Sequence, residues 1–171
     1  MSESQLSMEQ NMAVYLYIVR HGEAGFQAEK DNLRELTEHG QWQAKRAALW
    51  LKSQVGVFQH VYSSPYKRAQ QTRDIILEYG PSVMAQEELD ELTPDADAKR
   101  LVDYLLAKVD ENAQEDIHIL CVSHMPLVSY IIGELTGYSP IMATAGVAKI
   151  MVDLDSWNGE LETLIAPETM L

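Results

Sequence analysis

The chain has 171 residues, with 13 Lys and Arg against 26 Asp and Glu and a formal charge of −13, a balance that repels nucleic acid and anionic membrane surfaces and sets both aside as partners. Its single cysteine, Cys121, rules out an internal disulfide framework, and no apolar stretch approaches the roughly 20 residues a membrane helix needs.

At this length one domain is the economical expectation, large enough to bury roughly 70% of the surface its unfolded chain exposes. Residues 1–12 show neither apolar periodicity nor the basic-then-apolar order of a signal peptide. They are expected as a flexible tail ahead of one domain at 13–171. Cys121 stands inside an apolar run, which fits an inert buried thiol in a reducing compartment and a soluble, cytoplasmic protein.

The first element is an apolar, β-branched and aromatic run at 14–19 that ends in Arg20, His21 and Gly22. Period-free runs of that length suit a strand covered on both faces, and ligands of open α/β sheets sit at the carboxyl ends of such strands. Residues 23–36 are polar and irregular, a loop long enough to wall a site. Thr37 then has the character of a helix N-cap, with Glu38 in the first turn and Ala44, Ala48 and Leu51 on one face of a helix to about Ser53. A second strand is expected at 57–63. Ser64 and Pro65 predict an immediate helix start, with Arg68 one turn in, Ala69, Thr72 and Ile76 inward, and Gly80-Pro81 as the stop. Thr93-Pro94 repeats that start signal ahead of Ala98, Leu101, Leu105 and Val109. A third strand at 117–122 ends in Ser123 and His124, followed by Pro126, an apolar helix and a Gly137 cap. Two more extended stretches, 148–154 and 161–165, suit an antiparallel edge hairpin turning at Asn158-Gly159.

The pattern predicts an α/β fold with an open, mostly parallel sheet flanked by helices. Right-handed crossovers would bring the ends of three strands to one edge, and with them Arg20, His21, Arg68 and His124. Two guanidiniums and a histidinium can enclose the three non-bridging oxygens of a phosphoryl group, leaving the second histidine to attack phosphorus in line. A metal centre is the rival use of paired histidines, but the two arginines oppose a cation, so neither a metal nor another cofactor is expected. Any one strand-end Arg or His is commonly a surface or capping residue; the four together favour chemistry. His39, His60 and His118 are read as surface or structural, and Trp42 and Trp50 as packing residues.

Four segments carry a more specific signal: Arg20-His21-Gly22-Glu23-Ala24, Leu36-Thr37-Glu38-His39-Gly40, Ser64-Pro65-Tyr66-Lys67-Arg68-Ala69-Gln70-Gln71-Thr72, and Ser123-His124 before an apolar helix. In this order, spanning about 14–154, they resemble the motifs of the histidine phosphatase (phosphoglycerate mutase-like) superfamily. The small size, Glu91-Leu92-Thr93-Pro94 and Ser123-His124-Met125-Pro126-Leu127-Val128 resemble its SixA-type phosphohistidine phosphatases. The resemblance implies a phosphoglycerate mutase-like fold. It also implies that His21 becomes a phosphohistidine and that Arg20, Arg68 and His124 hold the phosphoryl group, without cofactor or metal.

Arg34 is equally a rim residue of that pocket or a solvated loop cation. The general acid is where this chain departs from many larger members: Met125 follows the second histidine, and Glu91 lies among Glu87, Glu88 and Asp90, where a solvated acidic turn is the plainer account. A phosphoramidate leaves as an imidazole that already carries a proton and so needs less acid catalysis than an ester. The expectation is a monomeric phosphatase for a histidine-phosphorylated protein, such as a phosphotransfer or phosphocarrier domain. The alternatives are a small-molecule phosphomonoesterase using Glu91 as acid, and a catalytically silent phosphate-binding module.

Overall fold

The computed structural model describes residues 12–170; the tail expected at 1–12 falls outside the described residues except for Met12. Six strands form one sheet: β1 Val14–Arg20, β2 Val57–Ser63, β3 Ser82–Glu88, β4 Ile117–Ser123, β5 Val147–Asp153 and β6 Asn158–Ile165. Their order is β3-β2-β4-β1-β5-β6. The first four are parallel along the chain of pairings, whereas β5 and β6 add an antiparallel hairpin at one edge. The helices are α1 Glu38–Gln54, α2 Lys67–Tyr79, α3 Ala98–Ala107 and α4 Leu127–Thr136.

The unbroken apolar run of β1 has a simple cause. Leu16 and Ile18 enter a core built with α3 and α4, while Tyr17 and Val19 enter a second core built with α1 and α2. Alternate side chains go to opposite faces, and both faces are covered. β4 does the same with Ile119 and Cys121 on one side and Leu120 and Val122 on the other.

Thr37 caps α1, its hydroxyl accepting from the Gly40 N–H at 3.0 Å. Gly137 ends α4 with φ of 78°, the left-handed conformation expected of it.

Several local expectations are corrected. α2 starts at Lys67 with Tyr66 as its cap residue, not at Ser64-Pro65, because the chain stays extended to bond the Ser64 N–H to the Val122 carbonyl. Arg68 is therefore the second helical residue, not one turn in. α3 starts at Ala98, where Asp97 accepts from the N–H groups of Lys99 and Arg100; Thr93 instead closes a short 3-10 turn by donating to the Asp90 carbonyl. The β5–β6 turn lies at 154–157, and Asn158 and Gly159 already pair with Asp153 and Val152. β3 was not anticipated: it is an edge strand whose side chains are almost all exposed, so it carries no apolar pattern. Trp42 is 43% exposed and stacks on His39, where packing was expected.

Candidate active site

Register brings the strand ends level. Arg20 pairs with Ser123, and Ser63 with Val122, so the residues that follow emerge together at the carboxyl edge. His21 is held just beyond β1 as though the strand continued: its N–H donates to the Ser123 carbonyl at 2.9 Å, and its own carbonyl accepts from the Ala145 N–H at 3.0 Å.

The His21 imidazole is almost fully buried. Its Nδ1 is 2.7 Å from the Gly22 carbonyl, and a carbonyl can only accept, so Nδ1 carries the proton and Nε2 the lone pair. The Arg68 Nε–H donates to that lone pair at 3.3 Å. The rings of His21 and His124 are 5.0 Å apart, and Tyr66 meets the edge of His124 at 5.0 Å. His124 Nε2 shares a 2.7 Å hydrogen bond with the Ser64 hydroxyl, which also accepts from the Tyr66 N–H. Arg20 donates through Nη1 to the Met142 carbonyl at 2.8 Å. Among the described residues, Arg20 Nε and His124 Nδ1 are buried polar atoms with no hydrogen-bond partner. Such atoms are costly unless something satisfies them, and a tetrahedral oxyanion beside His21 supplies acceptors for them.

Burial of the ring is the main force lowering the His21 pKa, to about 4; the Gly22 hydrogen bond opposes it, and the charges of Arg68, Arg20 and Arg34 add to it. Burial likewise pushes His124 down to about 2, with His21 and Arg68 reinforcing it. Both imidazoles are therefore neutral at pH 7. At His124, where a histidinium was expected around a phosphoryl group, burial favours the neutral ring.

Arg34 is spent on its own loop: Nε donates to the Gly25 carbonyl, Nη1 to Asp31, and the guanidinium lies 4.4 Å from the Phe26 ring centre. Glu91 sits in a 3-10 turn at Asp90–Leu92 and makes no hydrogen bond or ion pair with Arg20, His21, Arg68 or His124. Cys121 is buried, and desolvation pushes its thiol pKa up, away from reactivity. His118 stacks on Tyr15, and His60 on Tyr62. Among the described residues no group of three or more His, Cys, Asp or Glu is placed to hold a metal ion. No described helix is long and apolar enough to cross a membrane.

Three contributors were not singled out from the sequence. Ser64 was read as a helix cap, although its hydroxyl orients His124. Thr72 was read as packing, yet its hydroxyl accepts from the Gly22 N–H at 3.0 Å and donates to the Arg68 carbonyl at 2.8 Å, tying the two arms together. Asp31, in a loop without periodicity, accepts from Arg68 twice: at its carbonyl from Nη1, 2.7 Å, and at Oδ2 from Nη2, 3.2 Å. Two glycines allow the loop after β1 to cross the start of α1. A Cβ on Gly22 would lie 2.6 Å from the Gly40 carbonyl oxygen, and one on Gly40 only 2.0 Å from that of Glu23.

A sheet with an Arg-His pair at the end of a central strand and a second histidine beside it is the architecture of the histidine phosphatases. The model of the histidine phosphatase superfamily (branch 1) matches residues 16–96. Phosphohistidine phosphatase SixA of Escherichia coli (strain K12) is 34% identical over 154 residues, covering 89% of this chain and 93% of its own. The SixA homolog of Haemophilus influenzae is 35% identical over 159 residues, covering 88% and 92%. The structure of the protein histidine phosphatase SixA complexed with tungstate superposes with a TM-score of 0.83 at 32% identity, covering 92% of this chain and 99% of that one. The chain belongs to the histidine phosphatase superfamily, among its SixA-type members. It is a phosphatase with the phosphoglycerate mutase-like fold that the sequence predicted.

Proposed function

We propose that this protein removes phosphoryl groups from phosphohistidine on other proteins, with His21 as the covalent nucleophile. The observation that carries the reading is the state of His21: neutral at pH 7, its Nδ1–H committed to the Gly22 carbonyl, its Nε2 lone pair facing the Arg68 guanidinium. Nε2 attacks phosphorus, the bond from phosphorus to the leaving group breaks, and its electron pair departs with that group. Arg20, Arg68 and His124 donate to the non-bridging oxygens, with the unpartnered Arg20 Nε and His124 Nδ1 as the natural donors. Water then attacks that phosphorus, the bond to Nε2 breaks with its pair returning to Nε2, and the water's protons leave with the released phosphate. In the SixA structure the bound molecule is tungstate, a tetrahedral oxyanion that imitates phosphate.

The preference for a phosphoramidate rests on acid catalysis. Glu91 does not join the site's hydrogen bonds, and Met125 follows His124, so neither position read as a source of an acid supplies one to an alkoxide. We assign the activity to one domain at 13–171, working as a monomer in the cytoplasm on a histidine-phosphorylated protein. Glu91→Gln is expected to leave phosphohistidine hydrolysis within about twofold, since its carboxyl makes no hydrogen bond or ion pair with the reacting groups and a phosphoramidate needs little acid catalysis. Ester hydrolysis by the parent that falls by orders of magnitude in Glu91→Gln would favour the phosphomonoesterase alternative.

The direct test is intact mass spectrometry of the parent and His21→Ala after brief mixing with phosphoramidate and quenching without acid. An acid-labile phosphoryl adduct on the parent alone is the expected result. Turnover that survives His21→Ala would overturn the assigned nucleophile.

A further inference from the structure

We propose that Asp31 sets the leaving-group specificity: its carboxylate at the mouth of the site selects the protonated form of an N-phosphoryl imidazole over anionic phosphate esters. The inference rests on the phosphohistidine reading of the same site.

Arg68 and Asp31 are an unequal pair. The arginine side chain is 5% exposed and the aspartate side chain 59%, so a buried cation is joined to a solvent-exposed anion. Oδ2 accepts from Arg68 Nη2 and Oδ1 from Arg34 Nη1, which leaves lone pairs on both oxygens for a further donor. The carboxylate lies two hydrogen bonds and one guanidinium from the attacking nitrogen, since Arg68 Nε itself rests on His21 Nε2. Burial alone would raise the Asp31 pKa, but hydrogen bonds and charge from Arg34 and Arg68 outweigh it and hold the group ionised. The other charged pair nearby, Lys67 with Glu35 at 3.1 Å, is largely solvated and cancels itself.

The chemistry asks for an anion there. When His21 Nε2 bonds to phosphorus, the bond from phosphorus to the substrate nitrogen breaks and its electron pair stays on that nitrogen. If the second ring nitrogen already bears a proton, a neutral imidazole departs; if it does not, the leaving group is the far poorer imidazolate. His21 meets the same requirement when its own phosphoryl group leaves, and there the Gly22 carbonyl holds the Nδ1 proton in place. Attack and departure both break a bond between phosphorus and an imidazole, so the substrate ring needs a comparable acceptor. Asp31 is the exposed carboxylate bonded to the guanidinium that rests on the nucleophile. An ester brings no proton for it to hold, and a phosphocarboxylate brings a negative charge that it repels.

Asp31→Asn tests this because the amide oxygen still accepts from Arg68 while the charge is gone. Two quantities are measured: kcat/KM for N-phosphoryl imidazole, and the competitive inhibition constant of inorganic phosphate. One charge at this range in a half-exposed site corresponds to about a three- to tenfold fall in kcat/KM, with the inhibition constant unchanged or lowered. The parent's preference for N-phosphoryl imidazole over p-nitrophenyl phosphate should shrink in high salt, as screening removes the same attraction. Parallel weakening of both quantities would mean that Asp31 only positions Arg68, and an unchanged kcat/KM would mean it has no part; either result overturns the inference. A parent that hydrolyses p-nitrophenyl phosphate but never N-phosphoryl imidazole overturns the phosphohistidine reading and the inference with it.

Discussion

Burying two neutral imidazoles makes the protein's stability depend on acid in a defined window. In the unfolded chain both His21 and His124 titrate near 6.5, whereas in the fold they titrate at about 4 and about 2. Between those limits the unfolded state binds more protons than the native state, so stability rises with pH there and falls as pH drops below about 6.5. At pH 5 neither imidazole is protonated in the fold, while both are almost fully protonated once unfolded. The loss relative to pH 8 is then about 2 kcal/mol for each histidine, set by its unfolded pKa alone. Urea melts at pH 8, 7, 6 and 5 should show the parent losing on the order of 4 kcal/mol more than a protein carrying both His21→Asn and His124→Asn, with each single variant halfway. Only the slope against pH is compared, so any uniform cost of the substitutions drops out. Parallel slopes for parent and double variant would refute the neutral, buried state of the pair.

Two further outcomes follow from the supporting residues. Ser64→Ala strips His124 of its one hydrogen bond, leaving a buried imidazole with no partner at either nitrogen; a cost of about 1–3 kcal/mol in urea melts is expected, together with a more than tenfold loss of phosphoramidate turnover. Retained turnover would show that the hydroxyl does not orient the ring. Gly40→Ala drives a Cβ against the Glu23 carbonyl, and backbone cannot swing aside as a side chain can. It should destabilise by about 2 kcal/mol or more, whereas Gly56→Ala, with nothing within 4 Å, should be nearly neutral in the same thermal melt.

The parts of the fold that were legible in the sequence are those where burial and chemistry coincide on consecutive residues. β1 and β4 are covered on both faces, so their apolar runs are unbroken and the polar residues after them stand out. β3 lacks that contrast because it lies at the edge with its side chains in water. The helix starts were misplaced for another reason. Ser-Pro and Thr-Pro are local signals, and at Ser64 the hydroxyl was claimed by a residue 60 positions away. The four motif residues stood out through their types and their places at strand ends. Asp31 did not, since nothing in an irregular polar loop reports that its carboxylate will reach a guanidinium 37 residues further on.

The orientation of His21 is itself an extension of the sheet. Strand pairing fixes its main chain, because its N–H and carbonyl are bonded on either side to Ser123 and Ala145 just past the last ladder residues. Only the side-chain torsions remain, and the Nδ1–H bond to the adjacent Gly22 carbonyl removes that freedom too. Gly22 can supply this carbonyl only while its own N–H is held by Thr72 and its Cα lies against Gly40, where no side chain fits. The nucleophile is thus aimed by main-chain hydrogen bonds from β4, the segment before β5 and the neighbouring glycine, and by one hydroxyl from α2. All of these contacts are internal to the chain and none needs a substrate group, so the cost of orienting the reacting nitrogen is met by folding and not by binding.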